Sequence, residues 1–245
     1  MHQEEVCYQQ EGKVCKGLLV KPDPSVAKQG QAVLVAHAWM GRDEFACEKA
    51  RALAALGYIA FAVDMYGEGI QASDPKQAGE LMMPLFADRA LLQKRIRAAF
   101  DTLAQQAGVD KNKIGAIGFC FGGLTVIELL RSGAPVKGVV SIHGGFGSES
   151  HGIKAKTVPI ADNVKGSLLI LHGHDDPLVT QQDILSIQKE MTDAKVDWQM
   201  HIYGHTSHAF TNPKADNPNI GLIYSERSCT RALDAMRYFL EHTLA

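Results

Sequence analysis

The stretch KIGAIGFCFGG, Lys113–Gly123, decides how the chain is read. Lys113–Gly118 is short and apolar, the pattern of a buried strand, and Phe121–Arg131 has the apolar spacing of a helix. Between them lies a turn of the form G-x-C-x-G-G, with Cys120 at its centre. Such a turn needs small residues two places before and two places after the central side chain, because larger ones collide as the helix packs back on the strand. Glycine also adopts backbone angles closed to other residues. The geometry presents the Cys120 sulfur at a helix N-terminus, where the partial positive charge favours a thiolate. Taken alone, the pattern also fits a buried structural cysteine in a Gly-rich turn. A dinucleotide-binding loop fits less well: the G-x-G-x-x-G spacing is absent, and no acidic residue ends the following strand.

Outward from this turn, short apolar runs alternate with amphipathic segments. Strands are expected at Ala32–His37, Tyr58–Val63, Val136–His143, Ser167–His172 and Val196–Tyr203. Helices are expected at Glu44–Leu56, Leu85–Gln106, Gln181–Met191 and Tyr224–Leu244, and Gly57 stops the first of them. Asp64–Gly79 and Gly144–Lys165, rich in Gly, Ser, Asp or Pro, read as loops. This alternation predicts an α/β fold, one domain over 1–245, with a largely parallel central sheet and helices on both faces. In such sheets ligands bind at the carboxyl ends of the strands. The residues just after each strand therefore matter most: His37–Gly41, Cys120, His143–Gly145, Asp175–Asp176 and His205–His208.

Composition narrows the function classes. The chain has 245 residues, 46% hydrophobic and 21% charged, with 25 Lys and Arg against 27 Asp and Glu. That balance lacks the basic excess of a nucleic-acid or anionic-membrane binder. No apolar run of about 18 residues predicts a membrane span, and the polar start lacks a signal-peptide core. The five cysteines are scattered without a CxxC, so reduced thiols and a cytoplasmic location are expected, with no metal and no cofactor.

The strand ends hold more than a cysteine. Asp175 and Asp176 follow the fifth strand in HGHDDPLV, and His205 and His208 follow the sixth in YGHTSHAF. Nucleophile, acid and base candidates thus fall in the order Cys, Asp, His. A thiolate, an imidazole that moves its proton and a carboxylate that fixes the imidazole tautomer form a complete acyl-transfer unit. The residues alone leave open which of the two aspartates serves. The histidines also suggest metal sites. Yet an H-x-H-x-D-H signature beginning at His172 would need histidine where Pro177 stands, and His201, His205 and His208 fall on a strand end and loop without fixed geometry for a ligand set.

VLVAHAWMG at Val33–Gly41, GYIAFAVDMYGEG at Gly57–Gly69, IGFCFGG at Ile117–Gly123, HGHDDPLV at His172–Val179 and YGHTSHAFTNP at Tyr203–Pro213 together resemble the dienelactone hydrolase family. The likeness runs from about Tyr8 to Phe239. It implies an α/β-hydrolase fold and hydrolysis of a small-molecule ester or lactone through a thioester. It further implies Cys120 as nucleophile, Asp176 as acid and His208 as base, with the oxyanion held by the backbone N–H groups of Phe121 and Trp39. His37, Met40, Tyr66, His143 and Phe146 border the expected site and are candidates to line the substrate pocket. The chain departs from the family pattern at two places. Ala38 stands where the family often has a glutamate partnering the cysteine, and Asn212 stands near where an arginine clamps the substrate carboxylate. These departures point away from dienelactone itself. Arg89 is either a substitute anion contact or a solvated helix charge. The alternatives kept open are a thioesterase or peptidase on the same three residues and a catalytically weak small-molecule binder. The expected state is a monomer or small homo-oligomer.

Overall fold

In the computed structural model, residues 1–147, 149–150 and 153–245 are described. In chain order the elements are β1 (His2–Gln10), β2 (Lys13–Lys21), β3 (Ala32–Ala36), α1 (Glu44–Ala55), β4 (Ile59–Ala62), α2 (Pro75–Ala87), α3 (Arg89–Ala104), β5 (Ile114–Phe119), α4 (Phe121–Arg131), β6 (Gly138–Ile142), β7 (Glu149–Ser150), β8 (Ile153–Lys154), β9 (Ser167–Gly173), α5 (Gln181–Asp193), β10 (Trp198–Tyr203), β11 (Asp216–Asn217), β12 (Leu222–Ile223) and α6 (Glu226–Thr243). Eight strands form one sheet in the order β1-β2-β4-β3-β5-β6-β9-β10. From β4 to β10 every neighbouring pair is parallel. Parallel neighbours need crossovers, and the helices supply them. The result is the expected α/β-hydrolase-like fold.

The strands read as continuous apolar runs because both sheet faces are covered. Leu34 and Ala36 pack with Leu92 and Ile96 of α3, Leu124 of α4 and Ile187 of α5. Val33 and Val35 point the other way, to Leu53 of α1 and Met236 and Leu240 of α6. This alternation fixes the register, since a slip of one residue would exchange the two faces.

The expected helix Phe121–Arg131 matches α4 at both ends. Three regions differ from the sequence expectations. The N-terminal residues form a hairpin, β1 with β2, joined by Glu11 and Gly12, both at positive φ as a two-residue hairpin turn requires. The expected helix Leu85–Gln106 is two helices. α2 starts earlier, with Asp74 accepting from Gln77 N–H and Pro75 in the first turn. Asp88, extended at φ −124°, ends α2 and caps α3 through Leu91 N–H. The expected loop Gly144–Lys165 contains the short β7–β8 pair. Its residues 148, 151 and 152 lie outside the described residues.

Candidate active site

Cys120 closes β5 and precedes α4, with φ 55° and ψ −116°. This conformation is costly for a side-chain-bearing residue and persists only where surrounding packing imposes it. The packing here is visible in the glycines. A Cβ on Gly118 would strike the carbonyl of Gly122, and one on Gly122 would strike the backbone of Ala36 in β3. A Cβ on Gly123 would come within 2.6 Å of Gly144 Cα. Strand, turn and helix are therefore in contact at backbone distance. The Cys120 N–H donates to Ile142 O at 3.1 Å, tying the turn to β6. Its side chain makes no capping bond and is half-buried. Among the described residues, the N–H groups of Phe121 and Trp39 donate to no protein acceptor.

The loops after β9 and β10 bring a second group to the same edge. His208 Nδ1 lies 2.7 Å from Asp176 Oδ2. Asp176 Oδ1 accepts from Leu178 N–H at 2.9 Å, so both carboxylate oxygens are held. Asp176 and His208 are buried, while the neighbouring Asp175 is exposed. The His205–Ala209 segment is bent by positive φ at both His205 and Ala209. Gly173 lets it approach, since a Cβ there would meet Thr206 O at 2.5 Å. His208 Nε2 is buried without a hydrogen bond of full length. Burial opposes its positive charge, but nearby Cys120 and then the bond to Asp176 outweigh that and lift His208 to about 10. Cys120 and His208 are thus close but not closed, as is common in unliganded sites.

Two further imidazoles flank the pair. The His143 ring stands edge-on to His208 with centroids 5.2 Å apart, and its Nε2 bonds Thr211 Oγ1 at 2.8 Å. Burial first, and the His208 charge second, hold His143 neutral, well below its ordinary value. His172 is also buried and shifted downward by burial, with Phe146 edge-on at 5.9 Å. His37 is fully buried. Its Nδ1 meets Ala38 O at 2.5 Å, and its Nε2 accepts from Met65 N–H at 3.1 Å. Both nitrogens are thus committed to backbone, so the ring braces the loop that carries Trp39. Tyr66 stacks on Phe121 with centroids 6.1 Å apart and donates its OH to Trp39 O at 2.7 Å. Burial, with Cys120 nearby, pushes the Tyr66 phenol upward, so it stays a donor. Trp39 and Met40 are half-buried beside it, and Phe146 is buried.

Two residues show roles that the sequence did not reveal. Asp64 is fully buried and accepts from four backbone N–H groups, those of Lys16, Tyr66, Gly67 and Gly69, at 2.8–3.0 Å. It shapes the loop that carries Tyr66. The signal was present as an aspartate at a strand end before glycines, a pattern that favours side-chain-to-backbone turns. Arg89 is not a solvated helix charge. It is 1% exposed, stacks on Phe86 at 4.4 Å and gives one hydrogen bond, to Gly147 O at 2.8 Å. Desolvation lowers it to about 10. Among the described residues no three His, Cys, Asp or Glu side chains are arranged to hold a metal ion.

A family model described as the dienelactone hydrolase family matches residues 15–244. The chain belongs to the dienelactone hydrolase family. As a member it is a hydrolase of carboxylic esters or lactones. A solved structure designated m3DLH is 36% identical, with a TM-score of 0.90, covering 100% of this chain and 99% of that one. A dienelactone hydrolase-like promiscuous phosphotriesterase from metagenomic libraries is 35% identical at the same TM-score and coverage. Protein usf of Aquifex pyrophilus is 27% identical over 202 residues, 77% of this chain and 80% of that one. No helix among the described residues is long and apolar enough to cross a membrane.

Proposed function

We propose that this protein hydrolyses small, uncharged esters or lactones through Cys120, His208 and Asp176, by way of a thioester on Cys120. The observation that carries the reading is the buried His208–Asp176 bond of 2.7 Å, with Nε2 unpartnered among the described residues and Cys120 near enough to favour the His208 charge. With its proton held on His208 Nε2, the Cys120 sulfur attacks the carbonyl carbon. The Phe121 and Trp39 N–H groups, unpartnered among the described residues, receive the oxyanion; loss of one such donor costs about 10²–10³ in rate. The intermediate collapses, the imidazolium protonates the leaving alkoxide, and the thioester remains. Water then attacks with His208 as base, and the Cys120 thiolate leaves. Asp176 stays ionised throughout and holds the Nδ1–H tautomer.

Tyr66, Phe121 and Phe146, with half-buried Trp39 and Met40, give the surroundings an apolar character suited to an uncharged acyl or alkoxy group. Asn212 in place of an arginine agrees with an uncharged substrate. The five free thiols suit a cytoplasmic enzyme. A second reading, attack of the same sulfur on a phosphotriester, is favoured by the full-length likeness to the metagenomic phosphotriesterase. Turnover of p-nitrophenyl acetate and of an aryl phosphotriester tests both readings. Wild type should release p-nitrophenol, and a thioester should be trapped on Cys120 by acid quench and mass spectrometry. Cys120→Ala and His208→Ala should both be nearly inactive. Equal turnover in all three proteins would overturn the proposal.

A further inference from the structure

Strand β10 ends the sheet, and its outer edge carries none of the usual protection. Its N–H and C=O groups alternate between the neighbour and solvent. Leu168 N–H donates to Asp197 O at 2.8 Å and His174 N–H to Tyr203 O at 2.9 Å, so the odd-numbered residues face β9. The even-numbered ones, Trp198, Met200 and Ile202, therefore direct their backbone groups off the edge. Natural edges are blunted by charge, proline or bulges. Trp198–Tyr203 (WQMHIY) has no formally charged residue and no proline, and pairs with β9 in unbroken register. The opposite edge is different: β1 carries Glu4 and Glu5, which meet Lys21 and Arg42.

Both flanks of this edge expose large side chains. On one side Gln188 of α5 touches Met200 Sδ at 3.6 Å, and Thr192 accepts from Trp198 Nε1 at 3.1 Å. The same helical row leads to Leu185, 51% exposed, on the side where Ile202 is 48% exposed. On the other side a cavity of about 480 Å³ lies between Gln199 and His201 of β10 and Tyr238 and His242 of α6. Tyr238 is 66% exposed.

We infer that a second copy of this chain covers the edge, β10 pairing antiparallel with itself about a twofold axis at Met200. The argument for a like partner is self-complementarity. In that register Trp198 lies opposite the partner's Ile202, and Met200 lies opposite the partner's Met200. Gln199 lies opposite the partner's His201. Apolar meets apolar on one face, amide meets imidazole on the other, and no like charges oppose. The outward N–H and C=O groups of Trp198, Met200 and Ile202 find their partners in the same register. Such an isologous contact joins two eight-stranded sheets into one. A stable dimer buries about 800 Å² per partner, more than a six-residue ladder covers alone, and the exposed flanks with Leu185 and Tyr238 provide the remainder.

Analytical ultracentrifugation of the full chain, with hydrogen exchange of the β10 amides, tests this. Wild type should sediment as a dimer, with slow exchange at Met200 and Ile202. Ile202→Lys should sediment as a monomer with fast exchange there, and with circular dichroism and ester turnover unchanged. A monomeric wild type would overturn the proposal. So would a dimer that survives Ile202→Lys, or one whose Met200 and Ile202 amides exchange freely. These readouts do not depend on the acyl-transfer chemistry, so either reading can fail without the other.

Discussion

Cys120 and Cys15 are the same residue type in opposite settings. Cys15 lies within β2, fully buried beside Tyr8 and Asp64. Burial first, and the Asp64 charge second, push its thiol up to about 11. Cys120 stands half-exposed at the start of a helix, at positive φ, with a buried imidazole close by. Reactivity belongs to the thiolate, so location separates a reagent from a packing residue. Cys47 and Cys229, both buried and both shifted upward by burial, fall with Cys15.

The largest effect should come from exchanging alanine at the two positions. Cys120→Ala is expected to lower kcat/KM for p-nitrophenyl acetate by about 10³-fold or more, the scale of losing a covalent nucleophile. Cys15→Ala should leave kcat/KM within about twofold and cost about 1 kcal/mol in urea denaturation, the scale of removing one buried heavy atom. Comparable losses of activity in both variants would erase the contrast.

The next effect concerns the turn that gives Cys120 its setting. In Gly122→Ala the new methyl would meet Ala36 backbone, so β3 or α4 must move. A destabilisation of about 1–3 kcal/mol is expected, as for overpacking, together with a fall in kcat. Gly79→Ala, inside α2 with nothing within 4 Å of the added atom, is the control: it should leave kcat unchanged and stabilise the fold by about 0.5–1 kcal/mol, as alanine replacing glycine in a helix does.

The last effect is in the pH dependence of stability. His208 is raised from its ordinary 6.5 to about 10, so the folded state holds this proton more tightly than the unfolded one. Its contribution is complete below about pH 6.5 and is lost as pH rises through about 10. Melting temperature should therefore decline across that window. Cys120→Ser should flatten the decline, because Cys120 is the strongest favourable influence on the His208 charge. An identical slope in both proteins would show that the two groups do not share a proton.

The layout of the site was legible because it follows from sheet topology. Cys120, Asp176 and His208 each follow a parallel strand, and parallel strands end on one side. Helix α4 was legible to the residue, since the glycine-flanked turn at Cys120 leads directly into it and its apolar face is continuous. Helix α2 was not. Its Asp74-Pro75 start is a cap signature, but the surrounding Gly, Ser and Pro read as loop. The β1–β2 hairpin was missed because its outer strand is largely exposed and polar, which leaves little hydrophobic alternation to read. The Arg89 bond to Gly147 and the Asp64 bond to Lys16 span 58 and 48 positions, and short-range patterns do not report such contacts.

The candidate base comes from the margin of the sheet. Cys120 follows β5, flanked on both sides by β3 and β6, while His208 follows β10, which has one neighbour within the chain. Elements at the rim open at lower free energy than those at the centre. Warming an isolated chain should therefore detach the imidazole from the thiol while the central strands are still paired. Working temperature is then limited by fraying at one border, below the temperature at which the whole fold melts.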